Sequence, residues 1–211
     1  MLGPMTLPSL SRAVGSALGV GLIASACSSK AEPPQAFVDL VMSQGQNSGL
    51  CSSYPTDTTI MEVGQPGVST ITPPTQPVRI QTGAQHVQIT CSVHPQGTEF
   101  AINLDVLQGN VAGNGSSSLT VGGVVDPETG GTNITAAVLS TTGGQYVSSA
   151  CTIDFNTPGA GAEPAGPPVA AGRIWAHLSC AAATDSGMMV SPGQPATCDV
   201  EVDMIFENCG T

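Results

Sequence analysis

The stretch VAAGRIWAHLSC, AAATDSGMMVSPGQPAT, CDVEVDMIFENC, residues Val169 to Cys209, decides the fold. Both of its ends alternate. Ile174, Ala176, Leu178 and Cys180 share one parity, and Cys198, Val200, Val202, Met204 and Phe206 do the same. Successive side chains of a strand point to opposite faces, so alternation of this length predicts two half-buried antiparallel strands. Between them Ala181 to Thr197 is soft and poor in charge, and it reads as the connecting loop with a cysteine at each mouth.

The same signature recurs upstream. Strands are expected over Thr58 to Val63, Val78 to Thr82, His86 to Val93, Glu99 to Gln108, Ser117 to Val125, Asn133 to Ser140 and Gln145 to Phe155. Turn formers separate them: Gly83-Ala84, His94 to Gly97, Gly109-Asn110, Asp126 to Gly131 and Gly143-Gly144. Many short, evenly spaced strands predict an all-β chain, an antiparallel β-sandwich of about eight or nine strands, jelly-roll or immunoglobulin-like. The segment 157–168 (TPGAGAEPAGPP) reads as a surface loop within one domain, because the two strands after it cannot bury a core of their own.

Seven cysteines stand at 27, 51, 91, 151, 180, 198 and 209. Cys91, Cys151, Cys180 and Cys198 lie on the apolar faces of their strands, as structural disulfides require. Six cysteines allow 15 pairings, of which Cys180–Cys198, Cys91–Cys151 and Cys51–Cys209 is the expected set.

Residues 1–26 read as a secretory signal: Arg12, the short apolar run Ala13 to Ala24, then small residues at Ala24-Ser25-Ala26. The junction that follows, Cys27-Ser28-Ser29, resembles that of bacterial lipoproteins, in which the cysteine becomes the lipidated N-terminus. Lipidation of Cys27 leaves six cysteines, a full set for three bridges. The resemblance covers the leader alone. It implies acylation, with palmitate among the chains, and anchoring in the bacterial envelope. Ser28 after the cysteine further implies the outer membrane, with free secretion as the other outcome. Residues 27–50 read as the lipidated N-terminus and a tether, with about two helical turns over Gln35 to Ser43, and 51–211 as the single disulfide-bonded domain.

Removal of 26 residues from 211 leaves 185, enough for one sizeable core. Charged residues are 9% of the chain, against roughly 25% in an average soluble protein. Beyond the leader only Lys30, Arg79 and Arg173 are basic, against 15 acids. So acidic a chain has no electrostatic footprint for a phosphate backbone, and nucleic acid is not an expected partner. The expected partners are a membrane, through the lipid anchor, and a glycan or another envelope protein. No cofactor is expected.

Catalytic motifs are absent from the sequence: there is no HExxH, GxSxG, CxxC or phosphate-binding glycine loop. His86 and His94 bracket one strand, roughly 27 Å apart at 3.3 Å per residue, and cannot share a metal. The loop from Asp126 to Asn133 carries oxygen donors and glycines without the order of a calcium-binding loop, and reads as a hairpin turn. Asn114-Gly-Ser and Asn133-Ile-Thr match glycosylation acceptors, which the bacterial type of leader makes a coincidence.

The outward face of the last two strands is richer. If Cys180 opposes Cys198, then His177 opposes Glu201, Trp175 opposes Asp203, Ser179 opposes Asp199, and Arg173 opposes Ile205. Three readings of this patch stay open. It is a solvated face where Arg173 and His177 offset carboxylate repulsion; or a divalent-cation site of His177 and Glu201; or a recognition surface of Trp175, His177, Arg173 and Asp203, with the indole as platform for a sugar or peptide. The expected function is accordingly a surface-anchored, non-enzymatic binding or structural module of the envelope. The alternative is a secreted glycan-directed hydrolase using Asp199, Glu201 or Asp203, with carboxyl groups spaced as such chemistry requires.

Overall fold

The computed structural model describes residues 31–44, 51, 53–68, 75–109, 115–140, 144–155, 166–191 and 194–211. The leader, Cys27, Asn114 and most of the segment 157–168 lie outside the described residues.

The segment expected as a tether with two helical turns, QAFVDLVMS, is instead a central strand, β1 (Gln35–Ser43). It pairs along its whole length with the last strand, from Gln35↔Glu207 to Ser43↔Asp199. Ala36, Val38, Leu40 and Met42 are fully buried on one face. A nine-residue helix is marginal in water. A slot between two strands satisfies the backbone groups and buries the apolar face at once. The compact unit therefore runs from Ala31 to Thr211.

The remaining strands follow in order: β2 (Thr58–Val63), β3 (Ile80–Gln81), β4 (Val87–Gln96), β5 (Glu99–Gln108), β6 (Ser117–Val125), β7 (Gly131–Ser140), β8 (Gly144–Asp154), β9 (Val169–Ala170), β10 (Arg173–Ser191) and β11 (Gln194–Glu207). They form one sheet in the order β2-β1-β11-β10-β8-β7-β6-β5-β4, with β3 on β1 and β9 on β10. Every pairing between these strands is antiparallel. The all-β antiparallel class expected from the alternation is the one adopted. From β4 to β8 each strand pairs with its successor in the chain, and the sheet rolls into a nearly closed barrel whose opposed walls are the two layers of the expected sandwich. Leu40, Met61, Leu104, Leu119, Ile134, Leu178, Met204 and Phe206 fill the space between them.

Closure uses side chains and the C-terminal tail rather than one more ladder. Gln108 Nε2 and Ser117 Oγ donate to the free carbonyls of Glu62 and Ile60 on edge strand β2. At the other edge, Val93 N–H donates to Gly210 O and Gly210 N–H to Cys91 O, while Gly172 N–H donates to Val93 O. Both edges are thus partly occupied, which removes templates for pairing with another chain.

The segment Ala181 to Thr197, expected as a loop, mostly continues the two strands: β10 reaches Ser191 and β11 starts at Gln194. All six described cysteines are bridged, but in different pairs from those expected: Cys51–Cys198, Cys91–Cys209 and Cys151–Cys180. Topology gives the reasons. Cys91 and Cys151 sit on β4 and β8, which three other strands separate. β1 ends at Ser43, opposite Asp199, so Cys51 a few residues later remains at the end of the barrel that holds Cys198, not Cys209. Cys151 and Cys180 continue the β8–β10 register one step beyond Thr152↔Ser179 and are direct cross-strand neighbours. Their Cα atoms are 4.2 Å apart.

On the chain-entropy model, the bridges with separations of 147 and 118 residues contribute about 5 kcal/mol each, taken singly. Peptide mapping without reduction should recover these three pairs. A peptide joining Cys180 to Cys198 would overturn the β8–β10 pairing.

Candidate functional site: the acidic row on the outer face

The parity read from the final hairpin is correct, but its register is displaced by two residues. His177 faces Asp203, Ser179 faces Glu201, Trp175 faces Ile205, and Cys180 faces Val200. Only beyond an irregularity between Cys180 and Ala183 does Ala183 face Cys198. The bulge places Ala182 at φ 56, a conformation unusual outside glycine. Its N–H donates to Asp199 Oδ1 at 2.9 Å. Asp199, expected in the acidic patch, therefore braces the bulge.

With this register, the outward positions of five strands line up across the sheet. Asp154 on β8 faces His177 on β10, His177 faces Asp203 on β11, Asp203 faces Asp39 on β1, and Asp39 faces Glu62 on β2. One imidazole stands in a row with four carboxyl groups. Sequence reading missed Asp39, Glu62 and Asp154. Ala36, Val38, Leu40 and Met42 did carry a strand period around Asp39, but apolar Phe37 and Val41 on the opposite parity blurred it.

His177 is held from both sides. Its Nδ1 lies 2.8 Å from Asp203 Oδ1 and its Nε2 2.7 Å from Glu201 Oε2. Ser179 Oγ donates to Glu201 Oε1 at 2.9 Å, which fixes that carboxylate. With an acceptor at each nitrogen, the doubly protonated ring is favoured: the hydrogen bond to Asp203, and next the one to Glu201, push its pKa up to about 10 against the opposing effect of burial. Asp39 has no cation among its direct neighbours in the row. Burial, then the charges of Asp203 and Glu62, hold its carboxyl above the ordinary carboxylate range.

Two of the open readings are corrected by this geometry. A cation site of His177 and Glu201 needs a ring nitrogen with a free lone pair, and both nitrogens face carboxylates. Among the described residues no group of three or more potential ligands is arranged for a metal. Trp175, expected as an exposed platform, is only 8% exposed. It packs edge-on against Phe155 with ring centroids 6.4 Å apart. Its backbone N–H donates to Pro168 O at 2.8 Å. The indole is thus packed against Phe155 rather than offered to solvent. Arg173, expected beside the acids, directs Nη2 to Pro167 O at 3.0 Å.

Elsewhere, Asp126 turns its carboxylate inward on its own loop. Oδ1 accepts from the N–H groups of Glu128 and Thr129, which hold its pKa below the usual range, so the loop is a self-satisfied turn. His86 and His94 are exposed, as their positions at the ends of one strand led one to expect. No family model, curated protein or solved structure matches this chain.

The raised pKa of His177 makes stability depend on pH with a definite sign. A cation stabilised by the fold contributes fully below its ordinary pKa near 6.5, and that contribution is lost as pH rises through about 10. The denaturant midpoint should fall between pH 6.5 and 10, and the fall should be much smaller in His177→Gln. Two protected ring N–H signals should persist in NMR spectra at pH 8. A ring that titrates near 6.5 would show that the two carboxylates do not clamp it.

Proposed function

We propose that the outer face of the final hairpin is an acid–base centre acting on a glycan, with Asp39 as the proton donor and Asp203 as the carboxylate opposite it. One observation carries this reading: the two are directly opposed across β1 and β11, and their surroundings treat them oppositely. Burial, then the charges of Asp203 and Glu62, push the Asp39 pKa up, whereas Asp203 is hydrogen-bonded to the His177 ring at 2.8 Å. A carboxyl whose pKa is raised in this way, beside a second carboxyl engaged by an imidazole, is an arrangement from which one site can supply both an acid and a nucleophile.

Opposed residues on antiparallel strands have β-carbons about 4.5–5.5 Å apart. This lets the carboxyl groups adopt the roughly 5–5.5 Å separation of retaining glycoside hydrolysis. In that reaction Asp39 protonates the departing glycosidic oxygen as Asp203 bonds to the anomeric carbon. Water then displaces Asp203, giving its proton back to Asp39.

A second reading is a non-enzymatic binding or structural module. It is supported by the saturation of both imidazole nitrogens and by three disulfides, which leave this face preformed and rigid. The two readings separate on one measurement. Reducing-end release from a panel of envelope polysaccharides should be seen with the wild type, and Asp39→Asn should lower it by at least a hundredfold with the fold intact by circular dichroism. Binding without turnover in both proteins would favour the second reading.

The anchor is proposed separately, from the cysteine parity and the leader. Cys27 carries lipid and holds the domain at the bacterial envelope. Metabolic labelling with palmitate should mark the wild type and not Cys27→Ser, and equal labelling of both would remove the anchor.

A further inference from the structure

The same outer face carries a second feature about four residues along β1 from the acidic row. Gln35 faces Glu207 at that end, two steps of equal parity from Asp39 and Asp203, or roughly 13 Å at 3.3 Å per residue. There the chain after β2 leaves the edge of β1 and returns to it. Gln65 and Val78 form a two-way backbone bridge. Gly64 beside it has φ +89, and a β-carbon there would lie 2.1 Å from Val78 O. β3 then docks on Gln35 and Ala36. Gly64 lies against the ring of Phe37, which is fully buried.

Between this returning segment and the turn before β4 lies an open cavity of about 400 Å3, lined by Gln65, Val78, Arg79, Ile80, Gln81 and Gln85. Arg79 is one of the three cations beyond the leader. Its Nε lies 3.1 Å from Glu207 Oε2, an ion pair too bent to count as a hydrogen bond. Gln35 Nε2 also donates to that oxygen, at 3.2 Å. The guanidinium is thereby fixed in place with its side chain only 18% exposed. Among the described residues, no hydrogen bond links its two Nη groups to a protein acceptor.

Gln85 is presented to the cavity from a turn in which Gln85 and His86 take φ values of 50 and 61. Residues other than glycine adopt that conformation only when their surroundings impose it. Here Gly83 N–H donates to Val87 O at 2.7 Å and Gly109 N–H to His86 O at 2.8 Å, which together hold the turn.

We propose that this cavity binds a hydroxylated monocarboxylate of the sugar-acid class, with the carboxylate on the Nη edge of Arg79 and hydroxyls on Gln65, Gln81 and Gln85. A planar guanidinium held at Nε offers its remaining fork to a carboxylate in two parallel hydrogen bonds. Side-chain amides both donate and accept, as hydroxyls require. Val78 and Ile80 supply an apolar wall for the C–H face of a ring. The formal charge of −11 repels multiply charged anions, so a single carboxylate suits this chain better than a phosphate dianion. The site stands on its own geometry and does not rest on catalysis at Asp39.

The test is binding of D-glucuronate to the intact domain, followed by calorimetry and by backbone NMR shifts. Glucose, acetate and a glucuronate-containing oligosaccharide serve as the comparison probes. Saturable glucuronate binding, with shifts at Arg79, Gln81 and Gln85, is expected. Glucose and acetate should each bind at least tenfold more weakly. Tighter binding of the oligosaccharide would identify a glycan, rather than a free sugar acid, as the natural source. Arg79→Gln should weaken binding by at least tenfold. Gln85→Ala should weaken it severalfold and, being a surface change, guards against a folding defect in the first variant. Asp39→Asn should leave binding unchanged, which keeps this result separate from any failure of hydrolysis. No saturable binding, equal affinity for glucose, or unaltered binding in Arg79→Gln would overturn the proposal.

Discussion

Strand β11 sits between β10 and β1, and the register on its two sides is the constraint on which the rest of the molecule depends. On one side His177 meets Asp203, and on the other Asp203 meets Asp39. A slip of one residue on either side would send a whole apolar set to the surface. Val200, Val202, Met204 and Phe206 on β11 are all buried, as are Ala36, Val38, Leu40 and Met42 facing them. Burial of that face locks the register, and the locked register carries the outward residues into rows. The acidic row is thus a by-product of core packing in its alignment, although not in its composition.

Rows on the outer face differ sharply in environment. Trp175, Ile205 and Phe37 form one row, and all three are buried although they point away from the barrel interior. Phe155 packs against Trp175, and Gly64 just after β2 lies against Phe37. The next row holds Asp154, His177, Asp203 and Asp39, all half-buried, and Glu62, which is exposed. Its carboxyls therefore sit beside a covered apolar ridge, which lowers the local dielectric and strengthens each charge–charge effect. That is the physical origin of the upward shift at Asp39, and the two carboxylate acceptors are the origin of the one at His177.

Scarcity of cations gives each one a definite place. His177 serves Asp203 and Glu201 together, and Arg79 pairs with Glu207 while lining a cavity. In a chain with 9% charged residues, the outer walls away from these points are covered by threonine, serine, asparagine and glutamine. The disulfides hold the elements that frame the face: Cys91–Cys209 ties the tail to edge strand β4, and Cys51–Cys198 ties the chain ahead of β2 to β11.

The alternation of side chains by itself determined the class of fold, the strands and the inward faces, because a period of two is a local property of the backbone. It also determined that Cys91, Cys151, Cys180 and Cys198 face inward. Only the tertiary structure decided their partners, since pairing depends on which strands become neighbours, and β10 lies between β8 and β11. Gln35–Ser43 became a strand because β11 offered an open edge 156 to 172 residues later in the chain, a distance no local pattern can report. His177, Glu201 and Asp203 were legible as a cluster from their parity, but Cys180 faces Val200 rather than Cys198, so each cross-strand partner lies two residues from the expected one, with a bulge at Ala182 between the cysteines. Trp175 faced outward as its parity required and was buried all the same, because its packing against Phe155 is a contact between separate segments of the chain that no local pattern reports.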